Sequence, residues 1–259
     1  MSNITFVIPR HNDFNYERFI QASIKKYDDF NELLIVNDEG KCENIFVKYQ
    51  KAVDVIKEKN LPDDDIIVFV HEDVGIVDEY FKEKLELLFS KRTDVGLVGI
   101  VGTTELTESG AWWTNTPDKL KGHLVQGNDK DTVGKGFYLK KGSVGFYDNI
   151  VAIDGCMMAT TAKIVKEIIN FDLQTFSESN DFYDLDLCIQ ILESGYKVAV
   201  ADILIYHQST GKGSLGKSWQ DAKDKFINKY KSKGYKFPMT IYDFYKQDKN
   251  DSDIVEIEI

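Results

Sequence analysis

The chain has 259 residues, 42% hydrophobic and 29% charged, the balance of a folded globular protein and not of a disordered one. Its formal net charge of -11 excludes a protein that wraps nucleic acid, since phosphate neutralisation needs clustered Lys and Arg. Cys42, Cys156 and Cys188 are odd in number and far apart, so they predict reduced thiols in a cytoplasmic protein, with neither a disulfide framework nor a Cys-x-x-Cys metal pair.

Ile4–Ile8 predicts a short strand that the chain enters directly, with no basic segment or signal-peptide core before it. Tyr16, Phe19, Ile20, Ser23, Ile24 and Tyr27 share one helical face, predicting a helix over 16–27. Leu33–Val36 is a second buried strand, ending at Asn37-Asp38-Glu39-Gly40. A helix follows from Ile45 to Lys59, then a turn at Asn60–Asp65. Ile66-Ile-Val-Phe-Val-His-Glu-Asp73 carries the most information. Its five apolar residues predict a fully buried central strand, and its polar end places an acid-rich cluster at the carboxyl end. Ligands of open α/β sheets bind at such ends. Two carboxylates and an imidazole without a basic neighbour need a cation or a proton between them.

A helix over 78–90 leads to a glycine-punctuated strand, Gly96–Val101. This β-α-β-α-β order predicts a single mostly parallel sheet with helices on both faces. Regularity fails between Gly102 and Ser143, a stretch containing Trp112, Trp113 and His123; segments of this kind are functional loops or small insertions. His123 has no evident partner. Trp112 and Trp113 read as a packing plug or as a surface on which a ring can stack. Further elements are expected at 146–153 (strand), 161–170 and 184–194 (helices), 197–201 and 203–206 (strands, the second ending at His207) and 219–231 (helix). Gln247–Ile259, with five acids against one lysine, reads as a solvated or loosely docked tail. No apolar run reaches the length of a membrane span.

Three strand ends offer acids or imidazoles: Asp38, His71–Asp73 and His207. Oxygen and imidazole donors together suit Mn²⁺ or Mg²⁺ better than structural zinc, and a hard cation keeps positions free for substrate phosphates. The expected ligand is thus a nucleoside diphosphate or triphosphate. Asp184 and Asp186 stand at a predicted helix start, where acids favour the helix dipole; alternatively one of them is a general base for an attacking hydroxyl.

Several pieces then fall in a recognisable order. They are Phe6-Val-Ile-Pro9, Ile35-Val-Asn-Asp38 with Gly40, Val68-Phe-Val-His-Glu-Asp73 and Val98-Gly-Ile-Val-Gly102. Ile153-Asp-Gly155, Tyr183-Asp-Leu-Asp-Leu187 with Gly195-Tyr-Lys-Val198, and Tyr206-His-Gln-Ser209 complete the set. Over residues 4–211 this resembles family 2-like GT-A glycosyltransferases, in particular the bacterial glycosyltransferase-like branch with a His-x-Asp metal motif. The resemblance implies a GT-A domain over 1–218, with 219–259 a helical segment and acidic tail packed on it. It implies a metal-dependent inverting enzyme of the hexosyltransferase type, taking a nucleotide-sugar donor and a glycan or small hydroxyl acceptor. Asp38 would contact the nucleotide, Asp73 the metal and diphosphate, and His207 the metal or a phosphate. Asp184 would be the base. Pro9, Asp154 and Asp186 fall in matching segments and would face substrate. Two positions depart from the pattern: His71 stands for the first Asp of Asp-x-Asp, and Tyr183 for the Glu before the base. His71 is either a ligand or an orienter of Asp73.

Gly211-Lys-Gly-Ser-Leu-Gly-Lys-Ser218 fits the P-loop pattern and offers a rival, a P-loop nucleotide-binding protein. Against it, roughly forty residues follow, too few for the strands such a loop precedes. In the preferred reading Lys212 or Lys217 closes over the donor diphosphate, or the loop is simply solvated. A third reading is a non-catalytic nucleotide-sugar or glycan-binding module.

Overall fold

Ile4–Pro9 (β1) is buried at every position, Thr5 included, as expected of a strand covered on both faces. The structure, a computed structural model, describes residues 2–26, 30–35, 43–127, 131–133, 142–176, 178–209, 216–245 and 255–258. After β1 come two short helices, Asp13–Arg18 (α1) and Ile20–Ile24 (α2). The helix expected over 16–27 is broken at Phe19, whose φ of -108° and ψ of -81° interrupt the turn. Phe30–Ile35 (β2) precedes the helix Ile45–Lys59 (α3). Asn44 caps α3 by accepting the amide of Val47, and Asn60 ends it in the left-handed conformation, both standard helix boundaries. The apolar face of α3, Phe46, Tyr49, Ala52, Val53 and Ile56, is buried.

Ile66–Val70 (β3) is wholly buried, and Val74–Ile76 (β4) follows it almost at once. Phe81–Lys91 (α4) leads to Val95–Gly99 (β5) and Val101–Thr103 (β6). The single strand expected at 96–101 thus becomes two, lying in different sheets. A β-carbon on Gly102 would lie 2.3 Å from the carbonyl oxygen of Ala152, so only glycine lets the two backbones meet. Three short strands, Leu120–Gly122 (β7), Leu124–Gln126 (β8) and Asp131–Val133 (β9), occupy the irregular region. Then come Ser143–Ile150 (β10), Ala152–Ile153 (β11) and Met157–Thr161 (β12). The helices Ala162–Glu167 (α5), Leu173–Phe176 (α6) and Tyr183–Glu193 (α7) follow. Lys197–Ala201 (β13), Ile205–His207 (β14), Lys217–Ser232 (α8) and Val255–Glu258 (β15) complete the order.

The main sheet has eight strands in the order β15-β10-β13-β5-β12-β3-β1-β2. β2, β1, β3, β5 and β13 run in one direction, while β12 is antiparallel to both β3 and β5. The carboxyl ends of β1 and β3 and the amino end of β12 therefore share one edge. A second sheet, β4-β14-β8-β9, rises from that edge because β4 continues directly from β3. The expected acidic tail is partly structured: β15 pairs antiparallel with β10 through Val255–Glu258. α8 is integral to the core, with Trp219, Phe226 and Tyr230 at 6%, 0% and 0% exposure.

Candidate active site

A cavity of about 940 Å³ opens at this sheet edge. It is lined by Pro9 at the end of β1, His71 and Asp73 after β3, and Asp154 and Gly155 before β12. Asp184 enters from the first turn of α7 and His207 from β14. Residues far apart in sequence meet because the strand ends coincide, as expected for an α/β sheet.

The His71, Asp73 and His207 side chains each offer a donor atom, all within 4.8 Å of one another. Register explains part of this, since His207 on β14 lies opposite Val74 on β4. His207 Nε2 lies 3.4 Å from Asp73 Oδ1. Burial pushes the Asp73 carboxyl up, but the hydrogen bond and charge of His207 outweigh it and hold the group below the usual range. Burial likewise pulls His207 down, and Asp73 outweighs it, so His207 is raised. Burial, then repulsion by His207, lowers His71 to about 4, which leaves its imidazole neutral with a lone pair. His207 Nδ1 is buried without a hydrogen-bond partner among the described residues. Two imidazoles and a carboxylate at this spacing fit a divalent cation.

Glu72, the middle residue of the motif, turns away from this cluster. It is 3% exposed, and its Oε2 accepts the backbone amides of His11 (2.8 Å) and Asn12 (3.0 Å). His11 Nδ1 sits 2.8 Å from Oε1. Glu72 thus clamps the loop after β1, which presents His11 to the cavity. Lys48, buried on α3 and also lining the cavity, donates to the carbonyl of Arg10 at 3.2 Å.

Asp184 Oδ2 accepts the amide of Gly155 (3.0 Å) and Oδ1 that of Leu185 (2.9 Å). Burial, reinforced by the charge of Asp154, raises its carboxyl to about 7, a value suited to a proton acceptor at neutral pH. Two residues before it, at the N-cap of α7, Phe182 adopts a left-handed φ of 72°, a conformation of the kind that persists where packing enforces it. The enforcing neighbours are Trp219 and Phe226, each with a ring centroid 5.2 Å away.

Asp186 does not join the site. It is 1% exposed and bound by Lys229 (2.6 Å), Tyr230 (2.8 Å) and Gln190 (2.9 Å), so the substrate contact expected for it is corrected: the carboxylate pins α8 to α7. Trp112 and Trp113 do line the cavity, at 5% and 37% exposure. Trp219 joins them, so all three tryptophans of the chain face one space. Asp38 and Lys212 lie outside the described residues, as do Cys42 and residues 211–215 of the P-loop-like stretch; Lys217 opens α8. Sequence reasoning missed Glu72 as a clamp, along with His11, Lys48, Trp219 and the partner of the Tyr183 hydroxyl. A lysine on the apolar stripe of α3 was the one available signal among them.

The chain matches the Glycosyltransferase like family over residues 35–233, more than half its length, and belongs to that family. Its α/β architecture is of the GT-A type, and membership implies a transferase with a nucleotide-sugar donor and an acceptor. No curated protein sequence matches it. A solved structure, A197 from STIV, is similar over 80% of this chain and 85% of its own, with 14% identity and a TM-score of 0.44. No helix among the described residues is long and apolar enough to cross a membrane.

Proposed function

We propose that the protein is a metal-dependent, inverting glycosyltransferase of the hexosyltransferase type, moving a sugar from a nucleoside-diphosphate sugar to a hydroxyl of a glycan or small acceptor. The observation that carries this reading is the convergence of the His71, Asp73 and His207 cluster with the raised carboxyl of Asp184 on one cavity. Asp73, His207 and His71 would hold the cation, and two imidazoles among three donors favour Mn²⁺ over Mg²⁺, which prefers oxygen. When bound, such an ion supplies positive charge for the leaving diphosphate.

Asp184 accepts the acceptor proton as the acceptor oxygen bonds to the anomeric carbon and the carbon–diphosphate bond breaks on the opposite face. Its two backbone donors, Gly155 and Leu185, fix the carboxylate and leave further lone pairs for that proton. Pro9, Lys48 and His11 border the donor side. Trp112, Trp113 and Trp219 form an aromatic wall on which an acceptor sugar ring can stack. Asp154 supports the site electrostatically, by raising Asp184.

Release of nucleoside diphosphate from a panel of nucleotide sugars with Mn²⁺ tests the reading. Asp184→Asn is expected to lower turnover ~10²–10⁴-fold, the range for losing a general base, while metal-dependent donor binding persists. Equal turnover in the variant would remove Asp184 from the chemistry, and absence of turnover in the wild type across the panel would favour a binding module.

A further inference from the structure

We propose that Tyr183 is a positioning residue for the cation site, holding the His71 ring so that Nδ1 is the nitrogen turned to the ion. The inference rests on the metal reading of the His71, Asp73 and His207 cluster. Tyr183 Oη lies 2.7 Å from His71 Nε2, across 112 residues of sequence. A ring nitrogen engaged by a hydroxyl is not available to a cation, so the other nitrogen is the ligand. Partners of this kind fix the tautomer and orientation of ligating histidines. For Nδ1 to offer its lone pair, Nε2 carries the proton and donates to Tyr183 Oη.

Both ends of the hydrogen bond are anchored. The backbone amide of His71 donates to Cys156 at 3.0 Å, prolonging the β3–β12 ladder. Tyr183 is 6% exposed, and its ring meets Phe46 and Tyr49 edge-on, with centroids 6.2 and 5.6 Å away. Below the hydroxyl lies Gly155, where a β-carbon would come within 2.2 Å of Tyr183 Oη. Only glycine there leaves the hydroxyl room to reach His71. The alternative is that Tyr183 is a core aromatic whose hydroxyl is incidental. Phenylalanine would serve that role equally well, which makes the hydroxyl the testable atom.

The two departures from the sequence pattern, His71 and Tyr183, are therefore each other's partner. The pairing also ties the two halves of the site together. Tyr183 opens α7 and Asp184 follows it, so the helix that carries the candidate base also sets the candidate ligand.

The test is Mn²⁺ affinity of the full-length protein, titrated by electron paramagnetic resonance without donor, for wild type, Tyr183→Phe and Asp73→Asn. Tyr183→Phe is expected to weaken Mn²⁺ ~10–100-fold, the usual cost of losing such a partner, with a thermal midpoint close to wild type. Wild-type affinity in Tyr183→Phe, together with loss in Asp73→Asn, would overturn the positioning role and leave the metal reading intact. Wild-type affinity in both would overturn the metal reading beneath it. A second measurement needs no variant at Tyr183. With only four histidines in the chain, ¹⁵N spectra of the Zn²⁺-loaded protein resolve each ring, and His71→Gln assigns one. The Nε2–H tautomer at His71 supports the proposal; a proton on Nδ1 contradicts it.

Discussion

Asp184 and Asp186 stand two residues apart in one helical turn, yet their partners differ. Asp184 accepts the backbone amides of Gly155 and Leu185, and burial beside Asp154 raises it to about 7. As a base it acts deprotonated, so the rate is expected to fall about tenfold per pH unit as pH drops below its pKa. A pH–rate profile without a limb near that value would contradict the assignment. Asp186 is surrounded by donors, and Asp186→Ala would cut the Tyr230 hydroxyl back to its 3.4 Å contact with the Asp186 backbone carbonyl and remove one of the two carboxylates paired with Lys229. Chemical denaturation should register a loss on the order of 3 kcal/mol, with donor binding kept. The sequence could not separate the two acids, because both satisfy the same helix-start pattern and the difference lies in α8, more than thirty residues on. His71, Asp73 and His207 were legible as a group, since each ends an apolar run. The Tyr183 hydroxyl was not, because no local pattern indicates a partner across the sheet.

At the scale of elements, the site depends on β4 and β14 holding Asp73 beside His207. A buried ionic clasp secures that pair. Lys84 on α4 is 1% exposed and lies 2.8 Å from Asp78 and 3.2 Å from Asp202, just beyond β4 and before β14. The Val77 and Asp78 amides add hydrogen bonds to the Leu204 carbonyl. Burial raises the Asp202 carboxyl to about 6 despite Lys84, so removing the cation would leave two uncompensated buried acids. Lys84→Met is expected to cost ~3–5 kcal/mol in urea unfolding. Acid pH should narrow the deficit, because a protonated Asp202 needs no cation; an unchanged midpoint would deny the clasp. Strands built largely of apolar residues, such as β1, β3 and β13, were readable from sequence to within a residue or two. Breaks set by tertiary contacts were not. The kink at Phe19 lies within a regular helical pattern, and the passage from β5 to β6 depends on Gly102 meeting Ala152.

Across the whole molecule, the mixed sheet and the small sheet rising from its edge bring strand ends from residues 9 to 207 around one cavity, which combines the His71, Asp73 and His207 cluster with a wall of tryptophans. The order of strands and helices in the first half was legible, since alternating apolar runs and amphipathic stretches dictate it. The reversed β12 and the small sheet around β14 were not, because long-range pairing leaves no periodic trace. In the proposed function the cluster at Asp73 binds a nucleoside diphosphate through a divalent cation. Thermal shift with a nucleotide panel checks this, each nucleotide with Mn²⁺ or EDTA, on wild type, Asp73→Asn and Lys217→Ala. One nucleoside diphosphate at about 100 times its Kd should add ~2.7 kcal/mol and raise the midpoint by several degrees with Mn²⁺. That gain should vanish in EDTA and in Asp73→Asn. Stabilisation by ATP or GTP that survives Asp73→Asn and disappears in Lys217→Ala would contradict the claim and place the nucleotide on the loop before α8.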